Sequence, residues 1–289
     1  MAAYFRPVTL DEALEIRANG PVTILAGGTD VYPARANRVA WGDMRRDDIL
    51  DISAIEELRG LEQTADGLRF GALATWSRLR GADLPDAFAG YRAASRDVGG
   101  AQVQNRGTLV GNICTASPAG DGIPCLLSLD AGIEIASPRG RRTVPMAEFI
   151  DGYRHTVCGS DEIVTAIIVP HPPAGARGAF VKLGARRYLV ISIVMVAAVL
   201  AADEDGIVTH ARVAVGACSA VAQRLAALET ALVGRPLVAA PDLVSADLVT
   251  GLAPIDDVRG SAAFRAAAAI DAVRDALWQV TGTGRRSAA

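Results

Sequence analysis

Ala26-Gly27-Gly28-Thr29-Asp30 and the stretch from Gly99 to Asp121, GGAQVQNRGTLVGNICTASPAGD, concentrate bare backbone and small hydroxyls. Glycine loses more conformational freedom on folding than any other residue, so such clusters mark tight turns or close approach of backbone to another group. The first stretch ends a short apolar segment, Val22–Ala26, and leads into a predicted helix at VYPARAN. That context points main-chain N–H groups at an anion. Its spacing fits neither G-x-G-x-x-G nor G-x-x-x-x-G-K-[ST], so a dinucleotide-fold or P-loop assignment fails. Taken alone, it is equally a plain strand-to-helix turn. The second stretch reads as another loop, with Gly107, Gly111 and Asn112 beside the hydroxyls of Thr108, Thr115 and Ser117. Two such loops suit one extended diphosphate ligand. Asp121 is placed to accept hydrogen bonds from ligand hydroxyls, to cap the helix predicted at GIPCLLSL, or both. No Ser/His/Asp or Cys/His pairing sits nearby for nucleophilic catalysis, so any reaction here belongs to a bound cofactor.

Composition narrows the classes. The chain has 289 residues, 51% hydrophobic and 21% charged, enough for about two domains with packed cores. Its net charge is −3, with 29 Lys and Arg against 32 Asp and Glu, and basic residues form no long run. A nucleic-acid footprint is not expected. The opening MAAYFRPVTLDEALEI lacks an apolar signal-peptide core. The longest apolar run, Tyr188–Ala202, falls short of the roughly 20 residues that span a bilayer. A cytoplasmic chain that is not transmembrane is the expectation. The four cysteines, Cys114, Cys125, Cys158 and Cys218, lack zinc-knuckle or ferredoxin spacing. The three histidines, His155, His171 and His210, show no helical metal-ligand spacing, so no metal site is expected.

The elements that must position these stretches are mostly legible. Thr9 and Glu12 form a capping-box pattern before LDEALEIRA, which Asn19-Gly20 ends. ILDI is a predicted strand, and Asp66-Gly67 marks a hairpin. LPDAFAGYRAASRDV reads as a helix. IEIAS and RRTVP read as strands across Pro138-Arg139-Gly140, and EIVTAIIVP as a strand ending at Pro170. HPPAGARG, from His171 to Gly178, is the predicted domain boundary. Beyond it AFVKLGAR, the long apolar run and IVTHARVAVGA read as strands. AQRLAALETALVG and SAAFRAAAAIDAVRDALWQVTG read as helices, the last closing at Gly282. Ser261 is its predicted N-cap, with Asp256, Asp257 and Arg259 as a cap and ion-pair group. The tail TGRRSAA is expected to fray.

ILAGGTDV, GTLVGNICTASPAGDGIPCLLSLDA, FVKLGARR and PIDDVRGSAAFR, in that order, resemble the FAD-binding medium subunit of molybdenum hydroxylases, the family of xanthine dehydrogenase and carbon monoxide dehydrogenase. The resemblance covers about Phe5 to Val280. It implies an α+β fold: a two-subdomain FAD-binding domain of the vanillyl-alcohol-oxidase (PCMH) type over 1–172, then a small α+β domain over 178–289 with an antiparallel sheet and helices. It implies FAD held without a covalent bond by Leu25, Ala26, Gly27, Gly28, Thr29, Asp30 and Val31 in the first stretch. In the second stretch it implies Thr108, Gly111, Asn112, Cys114, Thr115 and Asp121. Val98, Gly99, Val103 and Val164 match flavin-pocket positions, and Lys182 matches a lysine near the isoalloxazine ring, although alone it reads as a solvated strand-end lysine.

The implied partners are an iron–sulfur small subunit with [2Fe–2S] clusters and a large subunit with the molybdenum cofactor, in a heterotrimeric electron-transfer oxidoreductase. Electrons pass from the clusters through FAD to NAD or a quinone. No residue of this chain is expected to be catalytic. Two positions depart from the pattern. Val110 replaces a glycine, so that turn must use an ordinary backbone conformation. Val98 stands where an aromatic residue stacks on the flavin in some members. Two other classes stay open: a stand-alone flavoenzyme, such as a reductase of UDP-linked enolpyruvyl sugars, and a flavin-free assembly module. The first needs a catalytic acid and a sugar-nucleotide pattern that the sequence lacks, and the second rests on Val110 alone.

Overall fold

The computed structural model describes residues 2–282, and the tail predicted to fray lies outside them. At the N-terminus β1 (Tyr4–Phe5), α1 (Leu10–Asn19), β2 (Thr23–Leu25), α2 (Val31–Ala40) and β3 (Ile49–Asp51) build a small parallel sheet in the order β1-β3-β2. The Thr9 hydroxyl accepts from the Glu12 N–H and the Glu12 carboxylate from the Val8 N–H, which starts α1 as its sequence requires.

A second unit is antiparallel. Its sheet contains β4 (Leu61–Thr64), β5 (Gly67–Gly71), β6 (Gly132–Ser137), β7 (Gly140–Pro145) and β10 (Ile163–Pro170), in the order β4-β5-β10-β6-β7. Between β5 and β6 run α3 (Trp76–Gly81), α4 (Ala89–Asp97), α5 (Ala101–Arg106), α6 (Leu109–Thr115) and α7 (Gly122–Ser128). Between β7 and β10 lie α8 (Met146–Phe149) and the small hairpin β8 (Ile150–Gly152) and β9 (His155–Thr156).

The third unit is an antiparallel sheet of β11 (Arg177–Leu183), β12 (Val194–Ala202), β13 (Val208–Gly216) and β14 (Gln223–Arg224), with α9 (Ala226–Leu232) and α10 (Ala262–Thr281) packed on it. The fold is therefore α+β. Strand β12 accounts for the second part of the long apolar run, whereas Tyr188, Leu189 and Ile191 precede it as exposed loop residues. Met195, Ala197, Val199 and Ala201 point into the N-terminal core, while Val194, Val196, Ala198 and Leu200 point into the core under α10. A strand buried on both faces shows no polar alternation. Among the described residues, no helix is long and apolar enough to cross a membrane.

Two elements differ from the sequence reading. The glycine-rich stretch is not an open loop but the short helices α5 and α6, broken at Gly107. Thr108 caps α6 by accepting from the Gly111 N–H, and burial of Leu109, Val110 and Ile113 stabilises it against poor local propensity. Val110 sits inside that helix, in ordinary backbone. The helix expected from Ala222 begins only at Ala226, because Gln223 and Arg224 pair with Val215 and Ala214 as strand β14.

Candidate functional site

The two glycine stretches meet. A Cβ built on Gly27 would lie 1.9 Å from the Arg106 carbonyl oxygen, so the β2–α2 turn touches the end of α5 backbone to backbone. Gly28 adopts φ +75°, which only glycine takes at no steric cost. Across the same junction Thr115 Oγ1 donates to Asp30 Oδ2 at 3.1 Å. The glycines thus serve close approach of chain to chain, and the turn they make leaves donors open. Among the described residues, no hydrogen bond is donated by the main-chain N–H groups of Gly27, Gly28, Thr29, Asp30 or Thr108.

These residues border a cavity of about 420 Å³. Of the residues singled out in the sequence, Ala26, Gly27, Gly28, Thr29, Asp30 and Val31 line it from one side. Thr108, Gly111, Asn112, Cys114 and Thr115 line it from the other, with Val98, Val103 and Val164. Leu25, Gly99, Asp121 and Lys182 are not on its wall. The Leu25 side chain is packed beneath the first turn, and Gly99, at φ +55°, turns the chain from α4 into α5.

The wall also includes apolar residues that the sequence reading passed over, Ile24, Ile52, Ala72, Trp76 and Ile163, together with Val110, which it noted only for its backbone. Their type reads as plain core, and only the fold brings them to the cavity. Ile163 and Val164, at the start of β10, both line it, and the β10–β6 ladder slips just after them, between Val164 and Ala166. Such bulges re-aim side chains beside functional clefts. Trp76 is fixed by an edge-to-face contact with Tyr91, centroids 5.7 Å apart. Cys114 lines the cavity with part of its surface exposed, and the protein packed around it and the neighbouring Cys158 push its thiol up.

Asp121 directly precedes α7, but its side chain caps nothing. Its carboxylate is instead the centre of a buried cluster. Lys182 Nζ donates to Oδ2 at 2.6 Å, and Ser192 Oγ donates to Oδ1 at 2.7 Å. The Lys182 side chain is 8% exposed and that of Asp121 6%, so Lys182 is no solvated strand-end residue. Burial pushes the Asp121 carboxyl up, and Lys182 and Ser192 oppose that shift. The cap role at α7 passes in part to Asn112, whose Oδ1 accepts from the Gly122 N–H at 3.3 Å. At α10 the expected group holds: Ser261 caps Phe264, Asp256 accepts from the Ala262 N–H, and Asp257 pairs with Arg259 and Arg265.

Residues 1–172 match the family of FAD binding domains in molybdopterin dehydrogenase. The chain belongs to that family. Residues 179–280 match the carbon monoxide dehydrogenase flavoprotein C-terminal domain. Among curated relatives of the molybdopterin-dehydrogenase family, the chain is 34% identical over 242 residues to the nicotinate dehydrogenase FAD-subunit of Eubacterium barkeri, covering 81% of this chain and 80% of the relative. It is 27% identical to the carbon monoxide dehydrogenase medium chain of Hydrogenophaga pseudoflava, covering 95% of each. Among solved structures, reconstituted CO dehydrogenase from Oligotropha carboxidovorans superposes with a TM-score of 0.90 at 26% identity, covering 98% of both chains. The family is one of FAD-carrying oxidoreductase subunits, and the two-part α+β fold is common to it.

Proposed function

We propose that this chain is the FAD-binding electron-transfer subunit of a molybdenum-containing dehydrogenase, dividing into a cofactor domain over 1–172 and a second domain over 178–289. The observation that supports it most is the cavity lined by Gly27 to Asp30 and by Thr108, whose main-chain N–H groups donate no hydrogen bond among the described residues, a donor set that suits a diphosphate. The residues present fit FAD. Ala26 to Val31, resting on Leu25, would hold the diphosphate with Thr108, Gly111, Asn112, Cys114 and Thr115. Val98, Val103 and Val164 would pack on the apolar ring system, with Gly99 turning the chain behind them and Lys182 and Asp121 lying beyond. FAD would be held here without a covalent bond.

When bound, FAD would supply two-electron redox chemistry, taking single electrons from [2Fe–2S] clusters of a small partner subunit, fed by a molybdenum cofactor on a large one, and yielding pairs to NAD or a quinone. The chain's own residues bind and orient the cofactor and exclude water from its apolar end. They touch no hydroxylated substrate in this reading, and a cytoplasmic location accords with four free cysteines. The test is an absorption spectrum of the purified chain, with the released cofactor identified after heat denaturation. Flavin bands and intact FAD are expected. A colourless chain that cannot be reconstituted with FAD overturns the proposal and leaves the fold untouched.

A further inference from the structure

The buried Ser192–Asp121–Lys182 cluster is shared between two units of the fold: Asp121 precedes α7, whereas Lys182 lies on β11 and Ser192 just before β12. It stands one residue behind the cavity wall at two points. Lys182 Nζ lies 3.5 Å from the Asp97 carbonyl oxygen, and the next residue, Val98, lines the cavity. Asp121 adjoins Gly122, whose N–H bonds the cavity residue Asn112. The wall at Val98 and Val103 is apolar and suits a flat ring, while the open N–H groups lie along the Gly27–Asp30 turn. The ammonium is therefore behind the ring end of the cleft. A buried charge acts over longer range than an exposed one, because little water screens it. Asp97 is the other acidic group acting on this cluster.

Lys182 brings one positive charge and Asp121 one negative, and how far they cancel depends on how firmly the carboxylate is held ionised. Among the described residues, two side chains do that: Lys182 on Oδ2 and Ser192 on Oδ1. We propose that Ser192 is a positioning residue for the cofactor, holding Asp121 as the counter-charge of Lys182 and thereby setting the positive potential behind Val98. This rests on the FAD reading above. Removing the hydroxyl leaves the carboxylate with one donor in a site that disfavours its charge. Lys182 is then less neutralised, and an anionic reduced flavin is favoured.

The experiment is the midpoint potential of FAD bound to the full chain, in wild type, Ser192→Ala, Lys182→Met and the double variant. Ser192→Ala is expected to shift the potential upward. In the Lys182→Met background Asp121 has lost its cation and burial favours its neutral form, so Ser192→Ala is expected to shift nothing further. Loss of packing alone would act the same with or without Lys182. Ser192→Cys keeps the shape with a weaker donor and gives a smaller upward shift, which also serves if the alanine variant does not fold. An unchanged potential in both Ser192 variants, or equal shifts in both backgrounds, overturns the role of Ser192 alone. A wild-type chain that binds no FAD overturns the FAD reading itself.

Discussion

Gly27 shows why the first stretch needs glycine at that place. Its missing side chain would occupy the space of the Arg106 carbonyl, and backbone cannot yield as a flexible side chain does. Gly27→Ala is expected to push the β2–α2 turn away from α5, at a cost of about 1–3 kcal/mol from overpacking. The open N–H groups of the turn move with it, so the FAD dissociation constant should rise at least about tenfold, which corresponds to ~1.4 kcal/mol. Gly20 provides the comparison. Its φ of 169° is ordinary extended backbone and no atom lies within 4 Å of its Cβ position. Gly20→Ala should bind FAD as wild type does and change stability by less than about 0.5 kcal/mol. A flavin-fluorescence titration and a thermal melt of the two variants check both statements, and equal affinities would show that the contact at Gly27 does not hold the turn in place.

Helix α10 shows what a local pattern can specify. Ser261, Asp256 and Asp257 lie within a few residues of the donors they serve, so the sequence gives their roles directly. Asp257 accepts first from the Arg259 N–H and then from the buried Arg265, which hold its carboxyl at about 2 instead of 3.8. The folded state thus binds this proton less readily than the unfolded chain. Its stabilising contribution is complete above the ordinary carboxylate value and is lost as pH falls toward 2. Asp257→Asn is therefore expected to be less stable at neutral pH and to lose less stability between about pH 4 and 2, as followed by urea unfolding across that range. A variant with an unchanged acid slope would remove Asp257 from the account. The glycine-rich helices were not legible in this way. Their order depends on Leu109, Val110 and Ile113 finding the core, which no local signal encodes. The site was half legible for the same reason. Glycines, threonines and Asn112 stand out by type, whereas Trp76, Ile52 and Ile163 resemble any core residue until the fold brings them to the cavity. The pairing of Lys182 with Asp121 spans 61 positions and shows only in three dimensions.

At the scale of the molecule, the sheet of β11 to β14 does not merely follow the cofactor-binding part; it closes it. Met195, Ala197 and Val199 on one face of β12 belong to the same core as Leu109 and Leu126. Backbone approaches on both sides of the seam: a Cβ on Gly178 would lie 2.1 Å from the Ala87 carbonyl, and one on Gly90 2.5 Å from that of Ala179. Asp130 adds charge pairs with Arg212 and Arg224 at 2.7 Å each, but these are partly exposed and contribute less than the apolar contact. Because each face of β12 completes a different core, loss of one unit exposes the other. The full chain is therefore expected to melt as one cooperative transition in calorimetry. Gly178→Ala wedges the seam without touching the cavity. It should destabilise by about 1–3 kcal/mol, lowering the melting temperature by several degrees and splitting the transition in two, while Gly20→Ala, in extended backbone with no atom within 4 Å of its Cβ position, should leave a single peak. Two separate transitions in the wild-type chain would instead mean that the cores are independent, and that the Lys182–Asp121 pair crosses a seam free to open.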